Sequence, residues 1–429
     1  MIMCFRRAVT VTLNRERNGR RPRGSIAVSR TACVLLAGAA ALLPFARADE
    51  APRSGFVTDE DVKSIPDRPR PGYLEPFADP VFGTRVVRVS DPGGPIPNVG
   101  GSWGKVARHH YSLDQAWNAD MSLLMLDRGT DGRGRLFLDG TTYKPLFLRK
   151  APSTRDRWHP RRPELRIFVD GNTVGTWNVQ SGRVSVIARI VRYSEFQFGP
   201  FEGNPSRDGD RIAIYATNPD GRKVAFVYDL RRGRKSTDLD LDGIAIDWVS
   251  VSPSGKYLVV HYDEDRTRVF DLGGRQVGPY WSEYGRPSHF DMTLDDDGED
   301  IAVGVSKSPP DKGLVIKRRL RDGEVTVLTK GGFASHTSAR NVRLPGWAFV
   351  SYGDSSKWPP YRSEIAAVRL DGSGAVRRLC HARRAGSDYL SEVHPSIAPD
   401  GRRVIWASNW GIDDGTVAAY VTELPAGED

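Results

Sequence analysis

The sequence predicts an all-β fold: a seven-bladed β-propeller of four-stranded antiparallel blades. Three observations support this prediction. A tight-turn signal rich in Asp, Gly and Pro recurs at a spacing of roughly 40 to 55 residues, which is the period of propeller repeats. Short runs of β-branched and aromatic residues follow each turn, as strands require. No long stretch after residue 50 shows the 3.6-residue apolar period of a helix. A sandwich would not need seven copies of one unit.

The repeat unit consists of a turn, an apolar run that follows it and up to two further runs. The seven turns are Asn118–Asp120, Arg162–Glu164, Asp208–Gly209, Ser254–Gly255, Asp297–Gly298, Pro345–Gly346 and Asp400–Gly401. The first runs after them are Ser122–Leu126, Leu165–Val169, Arg211–Tyr215, Tyr257–Val260, Ile301–Val305, Trp347–Ser351 and Val404–Ala407. The inner strand of each blade is expected to precede the turn, and the second strand to follow it.

The ring is predicted to close through a strand from the beginning of the chain. The seventh unit supplies only three strands, at Glu392–Ala398, Arg402–Ser408 and Val417–Glu423. The early segment Thr84–Ser90 is a strand without a blade of its own. Adding it as the outer strand of the last blade would close the ring and remove an exposed edge.

The chain is predicted to begin with an export signal over residues 1–48. This segment has an Arg-rich start, the apolar stretch Ala32–Phe45 and a small-residue cleavage site at Ala46–Ala48. The apolar stretch is too short and too rich in Gly and Ala for a membrane span. We therefore expect a periplasmic or secreted protein with no membrane span in its mature form. Residues 49–82 are predicted to form an extended arm, and residues 83–429 the propeller.

Removal of this signal leaves a chain that is almost neutral. The signal contains nine Arg and one Glu, which account for +8 of the formal charge of +9. The high pI is therefore no indication of nucleic-acid or membrane binding. Of the three cysteines only Cys380 lies beyond the signal, so we expect no intramolecular disulfide and no cysteine metal site. The mature protein is expected to be a monomer.

All eight histidines are predicted to lie on one face of the propeller. His289, His336 and His394 open the inner strands of blades 5, 6 and 7. The remaining histidines are assigned to the same face by their positions before turns or at strand ends, and these are His109, His110, His159, His261 and His381. A site with imidazole and carboxylate ligands favours Zn, Mn or Fe over Ca as the bound ion. Each histidine by itself fits a hydrogen-bonded residue at the rim of the channel better than a metal ligand; the prediction of a site rests on the set.

The stretch Tyr389–Ser408 resembles the last-blade motif of oligogalacturonate lyases and, more loosely, the TolB-type propeller repeat. The resemblance rests on His394-Pro-Ser-Ile-Ala-Pro-Asp-Gly and the apolar strand after it. It implies a seven-bladed propeller in which manganese is held by histidines of the last two blades and a glutamine, and in which uronate chains are cleaved by β-elimination. Carried over, His394 matches a ligand and His336 is its partner from the preceding blade. Glu392 stands where the family has a second histidine, and Tyr389 where it has glutamine. Glu392 is then expected to be an oxygen ligand.

A β-elimination needs a group that neutralises the uronate carboxylate, a base for the neighbouring proton and an acid for the leaving oxygen. A metal at His336, His394 and Glu392, or an arginine, would meet the first need. His110 or His289 is the candidate base, and Tyr111 the candidate acid. In a regular strand His110 and Tyr111 would point to opposite faces, so only one of them would reach the channel.

Substrate binding would need cations for carboxylates and aromatic rings for sugar faces. Five residues near the histidine positions are candidates for these roles, and they are Arg108, Arg286, Arg340, Trp158 and Trp410. Each arginine by itself fits a solvated or Asp-paired surface residue better than a substrate contact.

Two functions from different classes remain after exclusions. The sequence has no phosphate loop or dinucleotide fingerprint, so no nucleotide or flavin cofactor is expected. The first function is a metal-assisted polysaccharide lyase, with Mn or Zn, that acts on acidic oligo- or polysaccharides. The second is a non-catalytic propeller that binds an envelope protein, a peptide or a glycan. The first is favoured, because a binding platform has no need to gather histidines from adjacent blades.

Overall fold

The fold is a seven-bladed β-propeller, as the sequence predicts. The computed structural model describes residues 55–199, 202–354 and 357–425. The predicted export signal lies outside these residues. The described residues form seven sheets of mainly antiparallel strands, one for each repeat unit. Their only helices are the short 3₁₀ turns Asp263–Asp265 and Tyr389–Ser391. None of the helices in the described ranges is long and apolar enough to cross a membrane.

Blades 1, 2 and 3 contain three, four and five strands. Blade 1 has the three strands Leu123–Leu126, Arg135–Asp139 and Pro145–Arg149. Blade 2 has the four strands Asp156–Trp158, Leu165–Asp170, Thr173–Asn178 and Val184–Arg189. Blade 3 has the five strands Ser194–Gln197, Arg211–Thr217, Lys223–Asp229, Arg234–Lys235 and Leu239–Asp240. The inner segment of blade 1 is attached by the single bridge Trp117–Leu124.

Blades 4 to 6 are regular four-stranded sheets. Blade 4 comprises Ile246–Val251, Tyr257–Tyr262, Arg266–Asp271 and Gln276–Trp281. Blade 5 comprises Pro287–Leu294, Asp300–Ser306, Val315–Arg319 and Val325–Val327. Blade 6 comprises Ala334–Ser338, Trp347–Tyr352, Glu364–Arg369 and Val376–His381. In each of them the inner strand precedes the tight turn and the second strand follows it, so all inner strands run in the same sense.

Blade 7 joins the two ends of the chain. Its inner strands are Ser396–Ile397, Arg403–Ser408 and Val417–Glu423. The strand Arg85–Arg88 pairs antiparallel with Val417–Glu423, which is the closure that the sequence predicts. Pro76–Ala78 adds a further strand outside it, and Val106–Ala107 pairs in parallel with the start of Val417–Glu423. The closing strand removes an edge that would otherwise be free to pair with another chain.

Apolar packing between neighbouring blades holds the ring together. Seven apolar clusters occur in the described chain, one between each adjacent pair of blades. Between blades 5 and 6, for example, Ile301 and Val303 pack with Ala348 and Val350. Each fully buried aliphatic side chain contributes about 1.5–3 kcal/mol. This packing fixes the orientation of the blades and so the positions at which their inner strands begin.

Candidate functional site

The inner segments of blades 5, 6 and 7 bring three histidines into contact. The ring of His289 stacks on that of His336, with centroids 4.4 Å apart. The ring of His394 meets that of His336 edge-on at 4.1 Å. The three residues come from consecutive blades, so each is one repeat unit away from the next in sequence. Their contact therefore follows from the common register of the inner strands, as expected from the sequence.

The backbone at this cluster departs from regular strand. His289 and His394 have φ values of 43° and 39°, in the left-handed region that non-glycine residues seldom adopt. The pairing register of the inner strand shifts between Ser288 and Asp291 in blade 5. Such conformations cost about 1–3 kcal/mol each and persist where the surroundings hold them. Here they occur at two of the three residues whose side chains form the histidine cluster.

A carboxylate from the chain just before His394 completes the group. The turn Tyr389–Ser391 is capped by Asp388, whose side chain accepts a hydrogen bond from the backbone of Leu390, and Glu392 follows in extended conformation. The Oε2 atom of Glu392 lies 3.1 Å from Nε2 of His394 and 3.6 Å from Nε2 of His336. Both rings are buried, whereas the side chain of Glu392 is 29% exposed. The carboxylate thus separates the buried imidazoles from solvent.

These three residues form a group that could hold a metal ion. One ligand atom from each of His336, Glu392 and His394 lies within 4.8 Å of the others. Two imidazole nitrogens and one carboxylate oxygen suit Zn or Mn. The Nδ1 atom of His336 is 3.0 Å from the Ser335 hydroxyl, which can accept its N–H and leave the Nε2 lone pair facing Glu392. The donor set therefore fits a divalent metal.

Burial sets the protonation states within this group. It lowers the pKa of His336 and of His394 well below the ordinary value, and the positive charges nearby add to the effect. It also lowers the pKa of His289, which Lys307 reinforces. Burial raises the pKa of Glu392. The imidazoles are therefore neutral near pH 7, as a metal ligand or a general base must be.

Tyr111 packs against two of the histidines. Its ring meets the rings of His394 and His336 edge-on, at 4.5 and 5.4 Å. Burial raises the pKa of the Tyr111 phenol, so its hydroxyl keeps its proton. Tyr111 follows Val106–Ala107 in irregular chain, so the strand alternation that would oppose it to His110 does not apply. The ring of Tyr389 also lies 5.3 Å from that of His394 and is largely exposed.

Arg108 belongs to the cluster, but not in the role expected from the sequence. Its side chain is buried, and its Nη2 atom lies 2.7 Å from Nδ1 of His394. Burial lowers the pKa of its guanidinium to about 10, which leaves it charged at neutral pH. A buried guanidinium that contacts a histidine from behind cannot reach a sugar carboxylate. It supports His394 instead.

A cavity of about 390 Å³ adjoins the histidine group. His336 and Glu392 line it together with Arg384 and Ser351. The Arg384 Nε atom donates to the Ser391 hydroxyl at 3.1 Å, and its Nη2 atom to the Asp388 carbonyl at 3.0 Å. Arg384 lies in a loop without a periodic pattern, so no signal in the sequence points to it. It is the cation best placed to meet an anionic substrate beside the histidines.

Three predicted site residues have other partners. His110 faces Asp114, with Nδ1 to Oδ2 at 3.2 Å. Arg286 donates to the backbone carbonyl of Glu264 at 3.0 Å. Arg340 forms an ion pair with Asp291 and lines a different cavity from the histidine group. The structure therefore does not bring these three side chains to the histidines.

Both predicted tryptophan platforms are buried. Trp158 packs edge-on against Phe137 between blades 1 and 2. Trp410 stacks on Tyr420 at 5.0 Å, and its indole N–H donates to the Arg68 carbonyl of the N-terminal arm. Neither ring has a free face for a sugar, so both belong to the apolar packing.

The expectation that all eight histidines share one face is wrong for His159. This residue lines a cavity together with Pro253 and Pro399, which directly precede tight turns and so mark the opposite end of the channel. His261 and His381 are buried in blade packing, against Trp248 and Phe82. The Nε2 atom of His109 lies 2.6 Å from the backbone carbonyl of His394, so it contacts the chain at the site without joining the group.

Comparison with solved structures finds the same fold in lyases. An oligogalacturonate lyase in complex with manganese matches with a TM-score of 0.58 at 14% sequence identity, over 82% of this chain and 96% of its own. An oligogalacturonate lyase from Vibrio parahaemolyticus matches with the same TM-score and coverage at 12% identity. The chain shares the fold of these lyases. No protein family matches the sequence, and no curated protein matches it. The sequence resemblance in the last blade is thus accompanied by a shared fold over 82% of the chain.

Proposed function

We propose that this protein is a periplasmic or secreted lyase that cleaves uronate-containing glycans by β-elimination with the help of a divalent transition metal. One observation carries the proposal. His336, Glu392 and His394 form a compact ligand group, bordered by Tyr111 and His289. The shared fold with an oligogalacturonate lyase solved with manganese supports it. Manganese or zinc is the metal that these ligands favour.

The residues around the ligand group supply the acid and base that elimination requires. A metal held by His336, His394 and Glu392 would stabilise the negative charge that develops at the uronate carboxylate. His289 is neutral and can accept the proton from the carbon next to that carboxylate. Tyr111 keeps its proton and can deliver it to the glycosidic oxygen as the carbon–oxygen bond breaks. The products are an unsaturated uronate and a new chain end, with no net gain or loss of protons.

The cavity beside the group suits an acidic sugar. Arg384 provides a positive charge, and the hydroxyls of Ser335, Ser351 and Ser363 provide hydrogen bonds for sugar oxygens. The partly exposed carboxylate of Glu392 would repel an anion unless a cation covered it. A bound metal would do this, so the proposed substrate and the proposed metal support each other.

Metal analysis and a lyase assay on the purified mature protein test the proposal. We expect one divalent metal per chain, and an ultraviolet absorbance rise from unsaturated uronate on a panel of polyuronates. His336→Ala and His394→Ala should lose both while remaining folded. His110→Ala is the matched control, because His110 lies outside the group. Metal-free protein without activity on any polyuronate would contradict the proposal and favour a binding platform.

A further inference from the structure

Arg108 is fixed by four hydrogen bonds behind the proposed metal site. Its Nη1 atom donates to the carbonyls of Leu390 and Glu392, each at 2.7 Å. Its Nε atom donates to the carbonyl of His109 at 3.2 Å, and its Nη2 atom lies 2.7 Å from Nδ1 of His394. The residue is buried, with 2% of its surface exposed. The guanidinium therefore has one orientation, and His394 receives a defined hydrogen bond from it.

This contact determines which nitrogen of His394 carries the proton. A guanidinium only donates hydrogen bonds, so Nδ1 of His394 must accept with its lone pair. In a neutral imidazole the proton is then on Nε2. That atom faces the Glu392 carboxylate at 3.1 Å, which accepts the bond. A flipped His394 ring would place carbon atoms opposite both Arg108 and Glu392. Both contacts therefore require the same ring orientation.

A metal ligand requires the opposite arrangement. A histidine that binds a metal through Nε2 offers that lone pair and usually donates its Nδ1–H to an oxygen. His336 can meet this condition, because the Ser335 hydroxyl beside its Nδ1 atom is able to accept a hydrogen bond. His394 does not, because its Nδ1 faces a group that has no acceptor. The two histidines of the same site are thus prepared for different roles.

We propose that Arg108 is a positioning residue that holds His394 as a hydrogen-bond donor to Glu392 and thereby lowers the affinity of the site for a divalent metal. The inference rests on the proposed function, in that it concerns the same ligand group. Without metal, Arg108, His394 and Glu392 form one hydrogen-bonded chain. Binding of a metal at Nε2 of His394 requires the bond between Arg108 and Nδ1 to break. The affinity for the metal therefore depends on Arg108, a residue that is not itself a ligand.

Two substitutions of Arg108 separate this role from simple support. In Arg108→Gln the side-chain carbonyl can accept an N–H from Nδ1, which frees Nε2 for the metal. Arg108→Lys keeps a positive group that only donates. Calorimetric titration with Mn²⁺ and with Zn²⁺ at fixed neutral pH should show tighter binding in Arg108→Gln, by about 10-fold or more. Arg108→Lys should stay close to the wild type. Binding in Arg108→Gln no tighter than in the wild type would overturn the proposal.

The wild-type protein gives an independent test if a variant fails to fold. Metal-free protein labelled with ¹⁵N at histidine reports the tautomer of each ring by NMR, and the His394 signals are identified by their loss in His394→Gln. We expect the proton of His394 on Nε2 and that of His336 on Nδ1. A proton on Nδ1 of His394 would refute the inference. Neither measurement involves glycan cleavage. A negative lyase assay would therefore contradict the proposed function without contradicting the role of Arg108.

Discussion

His289 and His336 stack face to face, with their ring planes 11° apart. Two imidazolium cations at this distance would repel each other, so the arrangement requires at least one ring to be neutral. The pKa shifts agree, because burial and the neighbouring His289 both keep the pKa of His336 well below its usual value. The stack therefore places a neutral base directly beside the ligand group.

Lyase activity should fall on acidification only when the pH is below 6.5, the ordinary pKa of histidine, because His289 must be neutral to act as the base. Burial and Lys307 hold the pKa of His289 below 6.5, so the ring stays deprotonated until the pH falls past that value. Lys307→Met removes a repelling cation and should move the acidic limb of the kcat/KM profile to higher pH. Lys312→Met, in the same loop but exposed, is the control. Identical limbs in the two variants would argue against His289 as the base.

Replacement of Tyr111 by Phe should reduce activity without unfolding the protein. The ring packing against His394 is kept, so the free energy of unfolding should change by no more than about 1 kcal/mol. Loss of a general acid typically costs about 10²–10⁴-fold in kcat. Tyr111→Ala should lose the packing as well, at about 3–5 kcal/mol. Steady-state kinetics and chemical unfolding separate the two effects, and wild-type turnover in Tyr111→Phe would exclude the hydroxyl as the acid.

His261 should make the fold less stable in acid. It is buried against Trp248 and Phe290, and burial lowers its pKa from 6.5 to about 4. The unfolded chain takes up this proton first as the pH falls. The free energy of unfolding should therefore decrease between pH 6.5 and about 4, by at most about 3 kcal/mol from this residue.

The variant His261→Gln tests this assignment, because glutamine can still bond to Thr267 and does not titrate. Urea unfolding at neutral pH and at about pH 5 should show a smaller loss of stability in His261→Gln than in the wild type. An equal loss in both proteins would mean that other groups cause the acid sensitivity.

The closing strand should contribute measurably to stability. Val86 is buried where Arg85–Arg88 pairs with Val417–Glu423, so Val86→Ala should lower the free energy of unfolding by about 2 kcal/mol. Val184→Ala, on the outer strand of blade 2 and 47% exposed, should change it by less than about 0.5 kcal/mol. Equal effects in thermal or urea unfolding would indicate that the closing strand is not essential to the ring.

The sequence predicted the ring and the histidine group because both depend on strand register. Turns at a regular spacing determine the number of blades and the direction of each strand. The direction in turn determines where His289, His336 and His394 lie. Glu392 follows from its position two residues before His394. These inferences require only that side chains emerge at the start of equivalent strands.

The remaining placements depend on irregular backbone and on burial, which periodicity does not report. His110 turns to Asp114 because the chain after Ala107 is no longer a strand. Trp410 adopts φ of 57° and folds inward onto Tyr420. Arg384 lies in a loop whose path no pattern indicates. Such side chains are placed by tertiary contacts rather than by strand register.

The sheet that joins both ends of the chain has a consequence for folding during synthesis. When Arg85–Arg88 leaves the ribosome, its partner Val417–Glu423 has not yet been made, so the strand must wait for almost the entire chain. Pairing of such distant segments is slow, and an unpaired edge in the meantime invites association with other chains. Circular permutants that begin near Lys105 and attach residues 55–104 after Leu424 would make the two strands neighbours. They should fold faster and aggregate less than the natural order.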